Sequence, residues 1–111
     1  MDTIDLPKVV LGLVRAQNDF DAVAYADCFS ENAEVLDEGK TYKGKDEIKA
    51  WIEDANKRYQ VTMSPIAYTE TDTDTSILSA EISGSFPGSP LVLQYHLNIK
   101  EEEIYSLEIT S

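Results

Sequence analysis

Residues 29–52 read FSENAEVLDEGKTYKGKDEIKAWI, and this stretch decides the fold. Its apolar spacing predicts that a helix ends at Phe29 and that a short strand then runs to Asp37. The residues at 38–39 are typical of a turn that reverses the chain. A helix is then predicted from Gly44, with an apolar face formed by Ile48, Trp51, Ile52 and Ala55. The stretch therefore places one acid, Asp37, at the end of a strand.

The N-terminal part of the chain predicts helices on either side of a short break. Apolar residues recur at helical spacing over residues 6–18 and again over about 20–29. Asn18 and Asp19 interrupt this pattern and are expected to cap the second helix. The third helix is expected over about 45–58, with acidic residues in its first turn and basic residues in its last, as the helix dipole favours.

The C-terminal half alternates with a period of two, which is typical of strands. Pro65 lies in the first of these strands and indicates a bulge or a sheet edge there. The predicted strands cover residues 61–70, 75–86, 91–100 and 104–110. Helices followed by an antiparallel meander indicate a single α+β domain over residues 1–111, with the helices packed on one face of a strongly curved sheet.

Composition excludes several classes of function. The chain has 111 residues, with 9 basic and 21 acidic residues and a net charge of −12. This balance argues against nucleic acid and anionic membrane surfaces as partners, since both attract Lys and Arg. Cys28 is the only cysteine, which fits a reducing compartment, and it is distant in sequence from the only histidine, so no metal site is predicted. No signal peptide or membrane-spanning run is recognised, and we expect a cytoplasmic location.

Asp37 and Tyr95 are the candidates for chemistry. Asp37 shares its strand face with Val35, so it faces inward if Val35 does, and burial would tune its carboxylate towards a general base. The alternative is an acid that binds backbone amides at the turn beside Gly39. Tyr95 lies on the apolar face of its strand, where its hydroxyl could donate to a ligand oxygen or bind a backbone carbonyl within the core.

Other polar and aromatic residues have more than one interpretation. Tyr25 and Trp51 could line a ligand pocket or belong to the core or its rim. His96 alternates with Tyr95, so we expect it on the opposite sheet face together with Val92, Gln94 and Asn98. This mixed surface predicts a homodimer built on the sheet face that lies away from the helices.

Three stretches resemble the nuclear-transport-factor-2-like superfamily, and specifically its SnoaL-like branch. They are residues 18–23, residues 28–37 with 42–48, and residues 86–90 with 104–109. The resemblance implies a cone, in which a curved sheet wraps round three helices and leaves a pocket at its open end. It implies no cofactor and no particular activity, because the superfamily shares one scaffold across unrelated chemistries.

The resemblance to ketosteroid isomerase gives expectations for individual positions. Such members have a catalytic aspartate base where Asp37 stands, a tyrosine on helix one and a protonated aspartic acid on the penultimate strand. By ungapped counting, the helix-one tyrosine falls on Leu13 and the strand acid falls on Tyr95. Leu93 and Leu97, which share the face of Tyr95, are expected beside it in a ligand pocket.

These observations leave three hypotheses for function. The first is a pocket that binds a small apolar organic ligand, in a SnoaL-like protein of undefined activity. The second is an isomerase or cyclase in which Asp37 abstracts a proton next to a carbonyl and Tyr95 stabilises the resulting oxyanion. The third is a non-catalytic dimeric interaction module whose cone is filled by side chains such as Leu13 and Trp51.

Overall fold

The computed structural model describes residues 6–111 of the chain. The helices are α1 (Lys8–Asn18), α2 (Ala22–Asp27) and α3 (Gly44–Tyr59). The strands are β1 (Phe29–Asp37), β2 (Lys40–Lys43), β3 (Thr62–Glu70), β4 (Thr75–Ser83), β5 (Leu91–Lys100) and β6 (Glu103–Thr110). All strands form one six-stranded sheet in the order β2-β1-β6-β5-β4-β3. The expected α+β class, with helices packed against a curved sheet, is confirmed.

One pairing differs from a purely antiparallel meander. β1 and β6 run parallel, whereas every other neighbouring pair is antiparallel. This arrangement places the C-terminal strand in the middle of the sheet, directly beside the strand that carries Asp37. The β1–β6 pair therefore joins the N-terminal and C-terminal halves of the chain in one sheet.

The core lies between the helices and the concave face of the sheet. α1 contributes Val10 and Leu13, α3 contributes Ile48 and Ile52, and all four are buried. Phe29, Val35, Leu78, Leu97, Ile104 and Leu107 meet them from the sheet side. Burial of one large apolar side chain contributes about 1.5–3 kcal/mol, so this layer is what holds the helices to the sheet. We call this buried side of the sheet the inner face and the opposite side the outer face.

The prediction that a helix ends at Phe29 is wrong. α2 ends at Asp27, and Phe29 already belongs to β1, where it pairs with Ile104. The backbone amide of Ile104 also donates to the carbonyl of Cys28 at 2.9 Å. These inter-strand contacts take the place of a further helical turn.

The predicted cap of α2 is also wrong by two positions. Asp21, and not Asn18 or Asp19, accepts a hydrogen bond from the backbone amide of Ala24 at 3.0 Å. Phe20 has a φ of 56°, and this left-handed residue lengthens the turn before the helix can begin. Asn18 instead joins the helices to β3: its side chain accepts from the Met63 amide at 2.7 Å and donates to the Met63 carbonyl at 3.0 Å.

Two further expectations concern Pro65 and the end of β4. Pro65 lies in an edge strand with a register shift between Pro65 and Ala67, as its ring requires. β4 ends at Ser83 and not at residue 86. Gly84 then lies so close to the Tyr59 carbonyl that an added Cβ would be 2.6 Å from that oxygen.

Within residues 6–111, no helix has both the length and the apolar character needed to cross a membrane.

Candidate functional site

Asp37 and Tyr95 lie on the inner face in one row of the sheet. Asp37 pairs with Ile109 of β6, and Ile109 pairs in turn with Tyr95 of β5. Adjacent strands are about 4.8 Å apart, so two spacings separate the backbones of Asp37 and Tyr95 by roughly 10 Å. Val35, two residues before Asp37, is 0% exposed, which fixes the inward direction of that strand face.

Helix side chains cover this row from above. Tyr25 of α2 is 1% exposed, and its ring lies 6.1 Å from the ring of Trp51 of α3. Trp51 in turn stacks on Tyr42 of β2 at 5.5 Å. Trp51 and Tyr42 are only half-buried, so this stacked pair lies between the buried core and solvent. The pair covers the end of the cone where Asp37 lies.

Burial makes Asp37 a weaker acid. The pKa of its carboxyl is raised, first by desolvation and then by the neighbouring charge of Glu38. The Trp51 side chain acts in the opposite direction as a hydrogen-bond donor, and this effect is smaller than that of burial. A carboxylate with a raised pKa binds a proton more readily, which is the property that a general base needs.

The two tyrosines beside Asp37 stay protonated. Burial raises the pKa of Tyr95, and the charge of Asp37 raises it further. Burial also raises the pKa of Tyr25, with further contributions from Tyr95, Cys28 and Asp37. Both phenols therefore remain hydrogen-bond donors at neutral pH. The arrangement offers one proton acceptor, Asp37, and one O–H donor, Tyr95, on the inner face, with a second O–H donor, Tyr25, on α2.

The structure separates the predicted ligand-binding residues into two groups. Leu13, Tyr25 and Leu97 are almost fully buried in the core, with exposures of 0%, 1% and 2%. Trp51 and Leu93 are half-buried and pack against that core. Tyr25 is thus closer to Asp37 and Tyr95 than its sequence position suggested, because α2 places it over the row that contains Tyr95.

Two cavities stand out on the described part of the chain, and neither includes Asp37. One of about 710 Å³ lies between the α1–α2 turn and α3. The other, of about 390 Å³, lies beside Leu6, Pro7, Tyr68 and Glu70. The space above Asp37 is occupied mainly by aromatic side chains.

Among residues 6–111, no three His, Cys, Asp or Glu side chains lie together in a way that could hold a metal ion.

Solved structures with the same fold identify the family. A proposed polyketide cyclase from Sinorhizobium meliloti is 36% identical to this chain, with a TM-score of 0.90 over 96% of each chain. This chain belongs to the nuclear-transport-factor-2-like superfamily, in its SnoaL-like branch. At the sequence level, no family model and no curated protein matches.

Solved structures of lower sequence identity share the fold. A nuclear-transport-factor-2-like protein of unknown function from Cytophaga hutchinsonii is 16% identical, with a TM-score of 0.78 over 98% of this chain and 91% of its own. A hypothetical protein with a ketosteroid isomerase-like fold from Catenulispora acidiphila, in complex with trimethylamine, is 20% identical. Its TM-score is 0.74 over 96% of this chain and 87% of its own. The cone is therefore common to relatives whose sequences differ widely.

The sequence-based positions of the isomerase pattern can now be located in this SnoaL-like fold. Leu13, at the helix-one tyrosine position, is an apolar core residue with 0% exposure. Tyr95, at the strand-acid position, is on the inner face and supplies a hydroxyl. Sequence reasoning included Tyr25 only as a general pocket residue. The sequence signal that could have singled it out is its position directly before Ala26 and close to Phe29. In the structure, the rings of Tyr25 and Phe29 lie 5.7 Å apart.

Proposed function

We propose that this chain binds a small, largely apolar organic ligand at the inner end of the cone, with Asp37 and Tyr95 as its polar contacts. The observation that carries the proposal is the row in which Asp37 and Tyr95 flank Ile109, with Tyr25 above it. A few convergent polar groups within an apolar surround are typical of small-molecule sites. A ligand oxygen would accept hydrogen bonds from the phenols, and its apolar part would contact Leu93 and Leu97.

Entry to this site requires movement of side chains. Tyr25 and Leu13 are buried, whereas Trp51 and Tyr42 are half-buried and stack on each other. Tyr42 belongs to β2, a short edge strand that pairs only with β1. A ligand would therefore reach Asp37 by displacing the Tyr42–Trp51 pair, and its affinity would include the cost of separating these two rings.

The binding test uses amide-resolved NMR with uniformly labelled protein. The probes are small cyclic ketones and phenols, added separately to the wild type and to Asp37→Asn and Tyr95→Phe. We expect saturating shifts in residues 35–37 and 93–97, and a different order of probe affinities in each variant. Asp27→Asn and Tyr105→Phe, which change an exposed acid and an exposed tyrosine, are the matched controls and are expected to behave as the wild type. Shifts that do not saturate, or that are unchanged in both site variants, would contradict the proposal.

A second candidate function is proton abstraction next to a carbonyl. It is favoured by the raised pKa of Asp37 and by the relative described as a proposed polyketide cyclase. Asp37 would take a proton from the carbon next to the carbonyl, while Tyr95 and Tyr25 donate hydrogen bonds to the developing enolate oxygen. Asp37 would then exchange this proton with solvent and deliver a solvent-derived proton to a carbon of the enolate, so that the protein ends unchanged.

Deuterium exchange separates this reaction from simple binding. A cyclic ketone is incubated in D₂O with the protein, and loss of the α-proton signal is followed by NMR. A base at Asp37 predicts exchange above the buffer rate, its loss in Asp37→Asn, and a decrease of roughly 10²-fold in Tyr95→Phe. Binding without exchange would support ligand binding and contradict proton abstraction.

A third candidate, the interaction module with a filled cone, is favoured by the position of the two cavities away from Asp37. It predicts no saturable binding of any probe near residues 35–37. It also predicts that Asp37→Asn and Tyr95→Phe alter only stability. The NMR titration and the deuterium exchange together discriminate among the three functions.

A further inference from the structure

A second candidate site lies on the surface between the helices. We call it the interhelical cleft: it is formed by residues 19–23, which join α1 to α2, and by Glu53, Asn56, Lys57 and Gln60 of α3. Its volume is about 710 Å³, and it is open to solvent. None of its residues belongs to the Asp37–Tyr95 site, so this inference is independent of the proposed function.

The cleft presents large apolar side chains to solvent. Phe20 is 47% exposed and Val23 is 55% exposed. Phe20 also has a φ of 56°, although a bulky side chain in this left-handed region costs about 1–3 kcal/mol. An exposed aromatic ring held in this conformation is not explained by the core, because the ring does not pack there.

The walls of the cleft are held in place by hydrogen bonds. The buried side chain of Gln17 donates to the side-chain Oδ1 of Asn56 at 2.9 Å and to the backbone carbonyl of Val61 at 2.7 Å. The backbone amide of Asp21 donates to the carbonyl of Ala16 at 2.9 Å. The turn that carries Phe20 is therefore joined to α1, and α1 is joined to α3. A ligand would meet a preformed surface and would not have to order it.

The charges around the cleft favour a cation. Asp19, Asp21 and Glu53 contribute carboxylates, and Lys57 contributes one ammonium group. The ion pairs found among residues 6–111 join other residues, Lys43 with Glu34 and Arg58 with Asp54. Within the described chain, the charged side chains of the cleft are therefore not engaged in salt bridges.

The helix termini add to this negative potential. Asp19 is the C-cap of α1 and Gln60 is the C-cap of α3, so the carbonyl ends of the two longer helices both border the cleft. The C-terminus of a helix carries partial negative charge and attracts cations. The nearby start of α2 is capped by the Asp21 carboxylate, which offsets its positive end.

The geometry points to the interhelical cleft as a binding site for an organic ammonium ion that carries an apolar chain. The ammonium group lies over the ring of Phe20 and between the carboxylates of Asp19 and Glu53, while the chain covers Val23. An aromatic face together with carboxylates is the combination that recognises such cations, through cation–π attraction and charge. An anion of the same size is excluded by the same carboxylates.

The test compares three probes that share one hexyl chain. Hexyltrimethylammonium, 1-hexanol and hexanoate are titrated separately into labelled wild-type protein, and amide shifts are followed by NMR. We expect saturating shifts in residues 19–23 and 53–60 for the ammonium probe, binding at least about threefold weaker for the alcohol, and no saturation for hexanoate. Equal affinity for the alcohol and the ammonium probe would overturn the proposal, as would shifts confined to the Asp37–Tyr95 site.

Substitutions in the cleft test the same inference, because some should weaken binding of the ammonium probe and one should strengthen it. Phe20→Gly removes the ring at a position where glycine is unstrained, so the fold is retained while ammonium binding weakens by at least about threefold. Glu53→Gln weakens binding, and Lys57→Gln strengthens it because a competing cation is removed. Glu81→Gln and Lys49→Gln make the same charge changes at exposed positions elsewhere and are expected to have little effect. Changes in affinity that follow net charge alone, equal in the cleft variants and their controls, would overturn the site.

Discussion

Asp37 and Tyr95 are both in register with Ile109, one from each side of β6. This relationship brings a carboxyl and a phenol from distant parts of the chain to the same inner face. It depends on the parallel pairing of β1 with β6, because this pairing sets which residue of β6 lies beside Asp37. The chemistry available to the cone therefore follows from one strand register, with Tyr25 and Trp51 added from the helices.

Asp37→Asn should stabilise the protein at neutral pH. The folded-state pKa of Asp37 is raised, so the fold favours its protonated form. Its contribution to stability is therefore complete below the unfolded pKa of about 3.8–3.9 and is lost as pH rises through the folded pKa. Asparagine does not ionise, so the variant should gain over the wild type as pH increases. Urea unfolding of both proteins across this range measures the difference.

The control for this pH dependence is Asp27→Asn, which alters an exposed acid at the end of α2. Dilute protein is needed, because the chain has a sequence pI near 4.2 and approaches zero net charge in the window of interest. A free-energy difference for Asp37→Asn that is constant across the range would contradict the raised pKa.

Gly84→Ala and Gly12→Ala should have opposite effects on stability. A Cβ at Gly84 would lie 2.6 Å from the backbone carbonyl oxygen of Tyr59, which cannot move freely because it accepts from Ser85. We expect Gly84→Ala to cost about 1–3 kcal/mol. At Gly12, inside α1, the nearest atom to the new Cβ is the Cys28 sulfur at 3.6 Å, an ordinary contact. Alanine there should stabilise by about 0.5–1 kcal/mol.

Chemical unfolding of the two alanine variants checks this pair directly. The two changes add the same methyl group, so any general effect of alanine on the unfolded chain cancels in the comparison. If Gly84→Ala were neutral, the close approach of residue 84 to the end of α3 would be wrong.

Much of this fold is predictable from sequence because its patterns are local. Alternation over residues 91–97 identifies the inner face of β5, and helical spacing identifies the buried face of α3. The start of β1 could not be predicted in this way, since a register shift between Phe29 and Glu34 breaks the alternation. Phe29 was therefore assigned to the preceding helix, whose apolar spacing it continues.

The candidate site was predictable only in part, for a similar reason. Strand parity placed Asp37 and Tyr95 on inner faces, as the structure does. Their common register with Ile109 depends on which strands pair, and pairing is a property of the whole chain that no local pattern contains. The interhelical cleft was not predicted at all, because the left-handed conformation of Phe20 is imposed by the turn and is unusual for that residue type.

Phe29→Ala should destabilise the fold more than Trp51→Ala. Phe29 is 0% exposed, so its removal leaves a cavity and should cost about 3–5 kcal/mol. Trp51 is only half-buried, and it packs on Tyr25 and Tyr42. Each aromatic contact contributes about 0.5–1.5 kcal/mol beyond area burial, so Trp51→Ala should cost more than about 1 kcal/mol. Equal losses in urea unfolding would mean that Trp51 is a core residue and not a cover for Asp37.

Val92→Lys should convert a homodimer into a monomer. We propose that two copies pair through the outer face, which carries Val92 (50% exposed), Leu36 (36% exposed) and the half-buried His96. A stable interface buries roughly 1,600 Å² in total, and an open sheet face can supply this area. Val92 lies opposite Glu81, so a lysine there would bring a charged pair into the contact; the desolvation of this pair costs more than its attraction returns, and dissociation would follow.

The matched control is Val23→Lys, which makes the same change at an apolar residue that is 55% exposed on α2, away from the sheet. Sedimentation at tens of micromolar protein should give a dimer for the wild type and for Val23→Lys, and a monomer for Val92→Lys. A wild-type monomer under these conditions would contradict the dimer. Dimers in all three proteins would instead mean that Val92 lies outside the contact between the two copies.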